Sequence, residues 1–354
     1  MTAASGSPID ATSHSGDTDP GPIRVVFSED GRDFARRDWT DLVDSDPAGT
    51  FFHTPGYLKL YWEEFGETPD HLLLAFAELT DGSQVGAVAF ERFGDTLRFL
   101  GGTEVTDYLG PVARDGVQRA VAAALFAALG AREDWRSADL RGLVEDGGWP
   151  DWLAEAAAAQ GMAVKVGEDQ NGVAPFLALP GDWDTYLASL PSKMRHEIKR
   201  KARKLEAEAG PYAIEFAGPE TLVSDLDVFV AMHRSSEGPK GNFMQPGMEI
   251  FFRRLGEAFL DDGVFALSFL TIDGAKLAGT IGFRYGGRFL LYNSAFDHEH
   301  RWSQLAPGMV LVAEDIRLAI DGGCDAFDLL KGDYAYKYRF GAVKRIVKRL
   351  VIER

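Results

Sequence analysis

The stretch YNSAFDHEHRWSQLAPGMVLVAEDIRLAIDGGCDAFDLLKGDYAYKYRFG, residues 292–341, shows the fold most clearly. Its pattern predicts the end of a strand, a loop, a helix over about 307–320, a short strand at 326–330 and a second loop. Pro307 and Gly308 open the helix, where unpaired backbone N–H groups and the positive end of the helix dipole favour an anion. Because Gly308 has no side chain, a ligand can approach the backbone closely there.

A hairpin and a third strand are predicted upstream of this stretch. The predicted strands cover 264–272, 277–285 and 288–296. Asp273-Gly274 has the composition of a two-residue hairpin turn. The same plan occurs earlier in the chain, since DGSQVGAVAFERFGDTLRFL (81–100) resembles DGAKLAGTIGFRYGGRFLLY (273–292).

The order of hairpin, third strand, helix and strand recurs in the two halves, which indicates an internal duplication. In the first half we predict strands at 72–79, 85–92, 97–100 and 138–144 and helices at 54–66, 117–131 and 149–160. Further helices are predicted at 192–210, 222–235 and 246–260. We therefore expect an α/β (α+β) protein with units at about 23–180 and 181–354. Each unit has a mixed, mostly antiparallel sheet flanked by helices.

The charge distribution is uneven. The chain of 354 residues has a formal net charge of −17, which argues against general affinity for DNA or an anionic membrane. Yet seven of the twelve residues from Lys193 to Lys204 are Lys or Arg, and Lys331–Arg354 holds eight more. An anionic ligand is therefore expected near these two basic segments. In the first of them, Met194, Ile198 and Leu205 fall on one helical face.

Residues 1–22 are rich in Ser, Thr, Gly, Asp and Pro and contain no apolar run, so we expect a disordered tail and neither a signal peptide nor a membrane anchor. Cys324 is the only cysteine, and we interpret it as a core residue. A cytoplasmic protein is expected, while the oligomeric state is left open.

Several catalytic motifs are missing from the sequence. It contains no G-x-S-x-G, no Walker-type phosphate loop, no G-x-G-x-x-G after a strand, no H-E-x-x-H and no paired CxxC. Asp297-His298-Glu299-His300 is interpreted as a polar loop, because four adjacent residues rarely close a metal site without distant ligands. No metal is expected.

The deciding stretch resembles the signature region of the BioF2-like acetyltransferases. These are a cellulose-biosynthesis-type branch of the GNAT superfamily, related to the Fem-type aminoacyltransferases. The residues that carry the resemblance, in chain order, are Asp297, Pro307-Gly308 (with Ala306 where serine is common), Phe327-Asp328, Gly332-Asp333 and Tyr336-Lys337. The helix beginning at Ser192, His233-Arg234, Phe52–Pro55 and Asp107-Tyr108 also fit the family, so the resemblance spans roughly residues 30–350.

This resemblance implies tandem GNAT-like units, the first a degenerate copy and the second catalytic. It implies acetyl-CoA, or another acyl-CoA, as co-substrate and a small-molecule, sugar or amino-acid acceptor that attacks the thioester directly. A backbone N–H near 292–294 would polarise the carbonyl group. The residues expected to contact coenzyme A are Asn293, Leu305, Pro307, Gly308, Met309 and Lys337.

The resemblance also implies candidate catalytic residues, each with a structural alternative. Asp328 is a candidate proton acceptor or a carboxylate bonded to loop amides. Tyr336 would protonate the leaving thiolate or would only pack. Lys337 would bind a coenzyme A phosphate or lie at the surface. His233 would be an alternative base on the acceptor side or a structural histidine. The thioester is expected to enter a wedge between 292–296 and 326–330.

Two other functions remain open. In a Fem-type transferase that uses aminoacyl-tRNA, the basic helix would contact RNA, although the net charge of −17 counts against this. A non-catalytic binding protein is the second alternative, against which Pro307-Gly308, Asp328 and Lys337 count.

Overall fold

The computed structural model describes residues 20–66, 71–102, 104–236 and 239–354. The chain divides into two compact units. Unit 1 consists of residues 1–62, 66–172 and 346–354, and unit 2 of residues 63–65 and 173–345. Residues 1–19 of the expected tail lie outside the described part.

Unit 1 is built from a sheet and short helices. Its strands are β1 (Ile23–Ser28), β2 (Leu72–Leu79), β3 (Gln84–Phe93), β4 (Thr96–Phe99), β5 (Val112–Ala113), β6 (Ser137–Val144) and the first part of β7 (Ala163–Ala178). Its helices are α1 (Asp33–Arg36), α2 (Thr40–Ser45), α3 (Pro55–Phe65), α4 (Gln118–Gly130) and α5 (Trp149–Ala159). Short 3-10 helices cover Phe51–His53 and Glu145–Gly147.

Unit 2 is likewise built from strands and helices. Its helices are α6 (Trp183–Ser189), α7 (Ser192–Ala209), α8 (Leu222–Arg234), α9 (Pro239–Phe243), α10 (Pro246–Phe259) and α11 (Pro307–Asp321). Its strands are the end of β7, β8 (Ala213–Phe216), β9 (Phe265–Ile272), β10 (Ala275–Tyr285), β11 (Arg288–Phe296) and β12 (Ala326–Asp328). The last strand is β13 (Val343–Glu353), and 3-10 helices cover Ser303–Leu305 and Lys337–Phe340.

The strand orders of the two units correspond. In unit 1 the order is β1-β2-β3-β4-β6-β13, and in unit 2 it is β8-β9-β10-β11-β12-β7. Each has one parallel pair, β4 with β6 and β11 with β12, and the other neighbours described in these units are antiparallel. A helix follows the fourth strand in both, namely α4 and α11. The expected tandem units with mixed, mostly antiparallel sheets are thus confirmed.

The hairpin turns have the predicted chemistry. Asp273 and Gly274, between β9 and β10, have φ of 51° and 77°. Positive φ at both central residues is the requirement of a type I′ turn, which Asp-Gly satisfies at low cost. The side chain of Thr54 accepts a hydrogen bond from the Tyr57 N–H, and Pro55 occupies the first helical turn, so α3 begins where the sequence predicts.

The boundary between units differs from the sequence-based expectation. The sequence placed it near 180 and assigned all later residues to the second unit, whereas the structure places it at 172/173 and gives Ile346–Arg354 to unit 1. In unit 1, Val347–Glu353 pairs with β6. Which strand a segment pairs with is decided by tertiary hydrogen bonding and leaves no mark on a strand's local pattern.

The basic helix α7 packs on α11 through apolar side chains. Leu205 and Ala209 share a buried cluster with Leu305 and Val310, and Ile198 shares another with Val312. The predicted apolar face of α7 is therefore buried, and its remaining faces carry the cations. Of the helices in the described ranges, none combines the length and the apolar character needed to cross a membrane.

Candidate functional site

The site begins where β11 opens to solvent. Phe289, Leu290 and Leu291 are buried, the next three residues (292–294) are partly exposed, and Ala295 is buried again. The parallel pairing of β11 with β12 covers only Arg288–Leu290 against Ala326–Asp328. The pairing of β11 with β12 thus ends at Leu290, before residues 292–294, where the sequence predicted a wedge between the two strands.

A β-bulge at Tyr292 lies at this opening. Ile281 of β10 is opposite Asn293, whereas the next residue, Gly282, is opposite Leu291. Tyr292 is therefore the extra residue of the bulge, which re-aims the side chains of the bulged strand. The ring of Tyr292 packs against the aromatic rings of Phe252 and Phe283, and Asn293 contacts α8.

Asn293 is held by two hydrogen bonds to its side-chain oxygen. The backbone N–H of Ser294 donates to Oδ1 at 2.8 Å, and Nε2 of His233 lies 3.1 Å from the same atom. Since the oxygen only accepts, Nε2 of His233 carries the hydrogen. His233 is 1% exposed and packs between the rings of Phe229 and Phe243.

Tyr336 approaches β11 from the loop after β12. Its hydroxyl is hydrogen-bonded to the side chain of Ser294. Burial and, to a smaller extent, the nearby Tyr334 raise the pKa of Tyr336 to about 12, although the bond to Ser294 opposes the shift. The phenol therefore stays protonated at neutral pH. Through Ser294, Tyr336 contacts β11 at the residue that follows Asn293.

Asp328 and Lys337 are both buried, at 1% and 4% exposure. Asp328 accepts a hydrogen bond from the Leu330 N–H at 2.8 Å, and its other oxygen lies 3.4 Å from the Arg345 guanidinium. The ammonium of Lys337 donates to the carbonyl oxygens of Leu330 and Lys331, at 2.8 and 2.9 Å. The two side chains thus fix the loop that follows β12. Within it, Leu330 has a φ of 58°, which is unfavourable for a residue with a side chain.

The start of α11 has an unusual backbone. Ala306 precedes the helix with a φ of 57°, and Pro307 occupies the first turn. Gly308 is partly exposed, and a Cβ added there would meet only Phe296, at the ordinary contact distance of 3.7 Å. A ligand can therefore come close to the backbone at Gly308. Leu305 and Pro307 are buried, while Met309 is partly exposed beside them.

Two cations lie beside this helix start. A guanidinium nitrogen of Arg339 is 3.6 Å from the Met309 sulfur and 3.6 Å from Glu197 of α7. Lys201 is 3.9 Å from the same carboxylate. Partial burial lowers the pKa of Lys201, Glu197 opposes this, and the positive charges of neighbouring residues including Arg339 lower it further. Two cations share one carboxylate, so the positive charge here is not neutralised.

The loop with the sequence Asp297-His298-Glu299-His300 is polar, as expected. The ring of His298 lies on Phe296, and that of His300 near Trp302. The Asp297 carboxylate accepts hydrogen bonds from the Glu299 and His300 N–H groups. Across the described ranges, no three side chains of His, Cys, Asp or Glu come together in a way that could hold a metal ion.

Helix α7 and the start of the second basic segment lie within a region that matches a known family. A family model described as an acetyltransferase (GNAT) domain matches residues 192–338. Residues 192–338 are thus similar to GNAT domains. The match covers the helix start at Pro307-Gly308, the opening in β11 and the loop that carries Tyr336.

Solved structures share the fold of nearly the whole chain. A conserved protein of unknown function from Bacteroides thetaiotaomicron has a TM-score of 0.61 at 13% identity, covering 93% of this chain and 100% of its own. FemX has a TM-score of 0.62 at 13% identity, with 88% and 94% covered. L-PGS from Bacillus licheniformis has 0.52 at 12%, with 85% and 92% covered. At these identities the likeness concerns the fold. No curated protein matches the sequence.

The GNAT domain brings some of the expected site residues together. Asn293, Ser294, His233 and Tyr336 form one connected group across β11. Pro307, Gly308 and Met309 lie at the helix start, next to Arg339. Lys337 and Asp328 contact the loop after β12, Lys337 through the Leu330 carbonyl group and Asp328 through the Leu330 N–H, and Asp328 also lies beside Arg345.

Sequence reasoning did not single out Arg339 or Lys201 within the two basic segments. The signal available was the positive charge of both segments, which predicted an anion site near them without saying which cations meet. Helix α7 and the loop of Arg339 converge on Met309 only in the folded GNAT domain.

Proposed function

We propose that this chain is an acyl-CoA-dependent acyltransferase that acts on the amine or hydroxyl group of a small-molecule acceptor. The observation that carries the proposal is the position of Gly308, at a helix start open to close approach. Arg339 contacts the adjacent Met309 and shares the single carboxylate of Glu197 with Lys201. A pyrophosphate needs this combination of backbone N–H groups, helix dipole and cations.

The acyl group is proposed to lie in the opening at 292–294. The acceptor nitrogen or oxygen attacks the thioester carbonyl carbon, and the carbon–sulfur bond then breaks. Tyr336, protonated at neutral pH, donates its proton to the leaving thiolate, and the proton lost by the acceptor returns through solvent. Donors near the carbonyl oxygen stabilise the negative charge that develops there.

Asp328 and Lys337 act in this proposal as positioning residues. Asp328 fixes the Leu330 N–H, and Lys337 fixes the two carbonyl groups that precede the turn carrying Tyr336. The carboxylate oxygens of Asp328 are engaged by the Leu330 N–H and the Arg345 guanidinium, which suits a role in holding the loop. The loop-bound carboxylate that the sequence left open suits Asp328. Lys337 is buried at 4% exposure, so it is not the surface lysine that was the alternative for this residue.

Unit 1 is proposed to be the degenerate copy. Its corresponding helix α4 follows Val117, which makes no side-chain capping hydrogen bond, and the sequence there lacks Pro-Gly. The donor chemistry is assigned to the GNAT domain alone.

A second candidate donor is aminoacyl-tRNA, because the outer faces of α7 are strongly basic. Its exposed cations are Lys193, Lys199, Arg200, Arg203 and Lys204. A polyanion would be attracted to such a surface in a salt-dependent way. We favour acyl-CoA, since Arg339 contacts Met309 beside Gly308 and shares the Glu197 carboxylate with Lys201 of α7.

Calorimetry with acetyl-CoA, coenzyme A and a total aminoacyl-tRNA pool tests the assignment. We expect a dissociation constant for acetyl-CoA in the micromolar range, about −8 kcal/mol, and thiol release when a panel of small amines and alcohols is added. Absence of binding at millimolar acetyl-CoA and coenzyme A would overturn the proposal. Aminoacyl transfer from tRNA under the same conditions would then establish the second candidate.

A further inference from the structure

We infer that the side-chain amide of Asn293 donates the hydrogen bond to the acyl carbonyl oxygen, and that His233 is the residue that positions it. The inference rests on the proposed acyl transfer. It assigns to a side chain the function that the family resemblance assigned to a backbone N–H near 292–294.

The orientation of the Asn293 amide follows from its partners. The Ser294 N–H can bond only to an acceptor, so the atom 2.8 Å away is the oxygen and not the nitrogen of the carboxamide. The same oxygen accepts from Nε2 of His233 at 3.1 Å. With both acceptor positions of Oδ1 occupied, the NH₂ group is turned away from His233 and Ser294.

The NH₂ group of Asn293 is open to a ligand. Asn293 is partly exposed, although Leu291 and Ala295 on the same strand are buried. Within the described ranges, no acceptor is bonded to its Nδ2, and that atom is not among the buried unpaired ones. The bulge at Tyr292 is what turns this side chain to the opening of β11.

The backbone N–H of Ser294 already donates a hydrogen bond within the protein. It donates to Oδ1 of Asn293, so it cannot at the same time serve as a full donor to a developing oxyanion. In this arrangement Nδ2 of Asn293, and not the Ser294 N–H, is the donor to the carbonyl oxygen. A fixed donor of this kind contributes about 10²–10³ in turnover rate where charge develops on a carbonyl oxygen.

His233 holds the Asn293 side chain through the carboxamide oxygen. Its Nε2 carries the hydrogen that bonds Oδ1, so that nitrogen is not available to take a proton from the acceptor. The ring is 1% exposed and is held by Phe229 and Phe243, with centroid distances of 6.1 and 5.9 Å. We therefore assign His233 a positioning role and not the role of base.

The test compares Asn293→Asp, which has the same shape without the donor, with Asn293→Ala and with Asn242→Asp as a control at an exposed asparagine of α9. We expect both Asn293 variants to lower kcat by about 10²–10³-fold with little change in the acetyl-CoA dissociation constant. Infrared spectra of bound acetyl-CoA labelled with ¹³C at the carbonyl carbon should show a low-frequency band in the wild type. In the Asn293 variants the band should return towards its position in water.

His233→Gln and His233→Leu test the positioning role. Glutamine keeps an N–H donor, so we expect it to retain kcat within about fivefold and to leave the pH profile unchanged, while leucine should lower kcat about as much as Asn293→Ala. A pH–rate limb that disappears in His233→Gln would make His233 a base and overturn its assignment.

The outcomes separate the inference from the proposed function. If the wild type binds and turns over acetyl-CoA while Asn293→Asp keeps kcat within threefold and an unshifted carbonyl band, the inference is wrong and the acyltransferase stands. If the wild type shows neither binding nor turnover of acetyl-CoA, both are wrong.

Discussion

Nε2 of His233 lies 3.1 Å from Oδ1 of Asn293, although 60 positions separate the two residues in the chain. The contact joins α8 to the bulged part of β11. One residue further on, Ser294 bonds Tyr336, which comes from the loop after β12. Two segments that are far apart in sequence thus converge on two consecutive residues of β11, Asn293 and Ser294.

Gly308→Val should abolish acyl-CoA binding without unfolding the chain. A Cβ at this position meets only Phe296 at 3.7 Å, so the added atoms extend into the space that we assign to the pyrophosphate. We expect the dissociation constant to rise by at least tenfold in calorimetry. Gly247→Val is the matched control, since Pro246-Gly247 opens α10 in the same way and a Cβ there would first meet Phe65 at 3.4 Å. Unchanged affinity in a folded Gly308→Val protein would exclude the helix start as the phosphate site.

Arg339→Gln should weaken acyl-CoA binding by about tenfold, and the loss should shrink as salt is added, because the guanidinium is half exposed. Arg317→Gln is the control, with side-chain exposure of 45% against 48% for Arg339 and a position in the last turns of α11. Titration at low and high ionic strength checks the effect. Equal affinities of the two variants would remove Arg339 from the site.

Asp328→Asn should lower stability more than turnover. The carboxylate is buried, bonded to the Leu330 N–H and close to Arg345, so its replacement costs about 1–3 kcal/mol of unfolding free energy. Urea unfolding, with the exposed Asp325→Asn as control, measures this. If kcat instead falls by 10²-fold or more with stability unchanged, Asp328 is the proton acceptor that the family resemblance implied.

Asp315→Asn should flatten the pH dependence of stability. Asp315 of α11 is buried with its carboxyl oxygens 3.0 Å from the Ser268 hydroxyl and 2.8 Å from that of Thr280. Burial raises the pKa of Asp315 to about 7, although the hydrogen bonds from Thr280 and Ser268 lower it. Between pH about 4 and 7 the carboxyl is thus protonated in the folded chain and ionised in the unfolded chain. The unfolding free energy therefore falls as the pH rises through this window, by up to about 1.4 kcal/mol per unit.

Urea unfolding of wild type and Asp315→Asn at several pH values from 4 to 8 checks this prediction. We expect the difference between the two proteins to change in favour of the variant as the pH rises. A difference that is constant over this range would mean that Asp315 keeps its ordinary pKa in the folded chain.

The sequence by itself determined the repeated hairpin, third strand, helix and strand of each unit, but it did not reveal β1, β7, β8 or β13. Asp273-Gly274 predicts a turn because both residues tolerate positive φ, and Thr54-Pro55 and Pro307-Gly308 mark helix starts by capping and by fixed backbone geometry. These signals are local, so they act through a few neighbouring residues. The repeated hairpin, strand, helix and strand then predicted two similar sheets, because the same local pattern occurs twice.

Only the tertiary structure decided what the polar side chains contact. The Lys337 ammonium turns to two carbonyl groups, while Arg339, two residues later, reaches Met309. The bulge at Tyr292 turns Asn293 towards His233, and the residue types of β11 do not predict this bulge. Side-chain direction and strand pairing depend on the register between segments distant in the chain, which is a property of the packed domain and not of any local stretch.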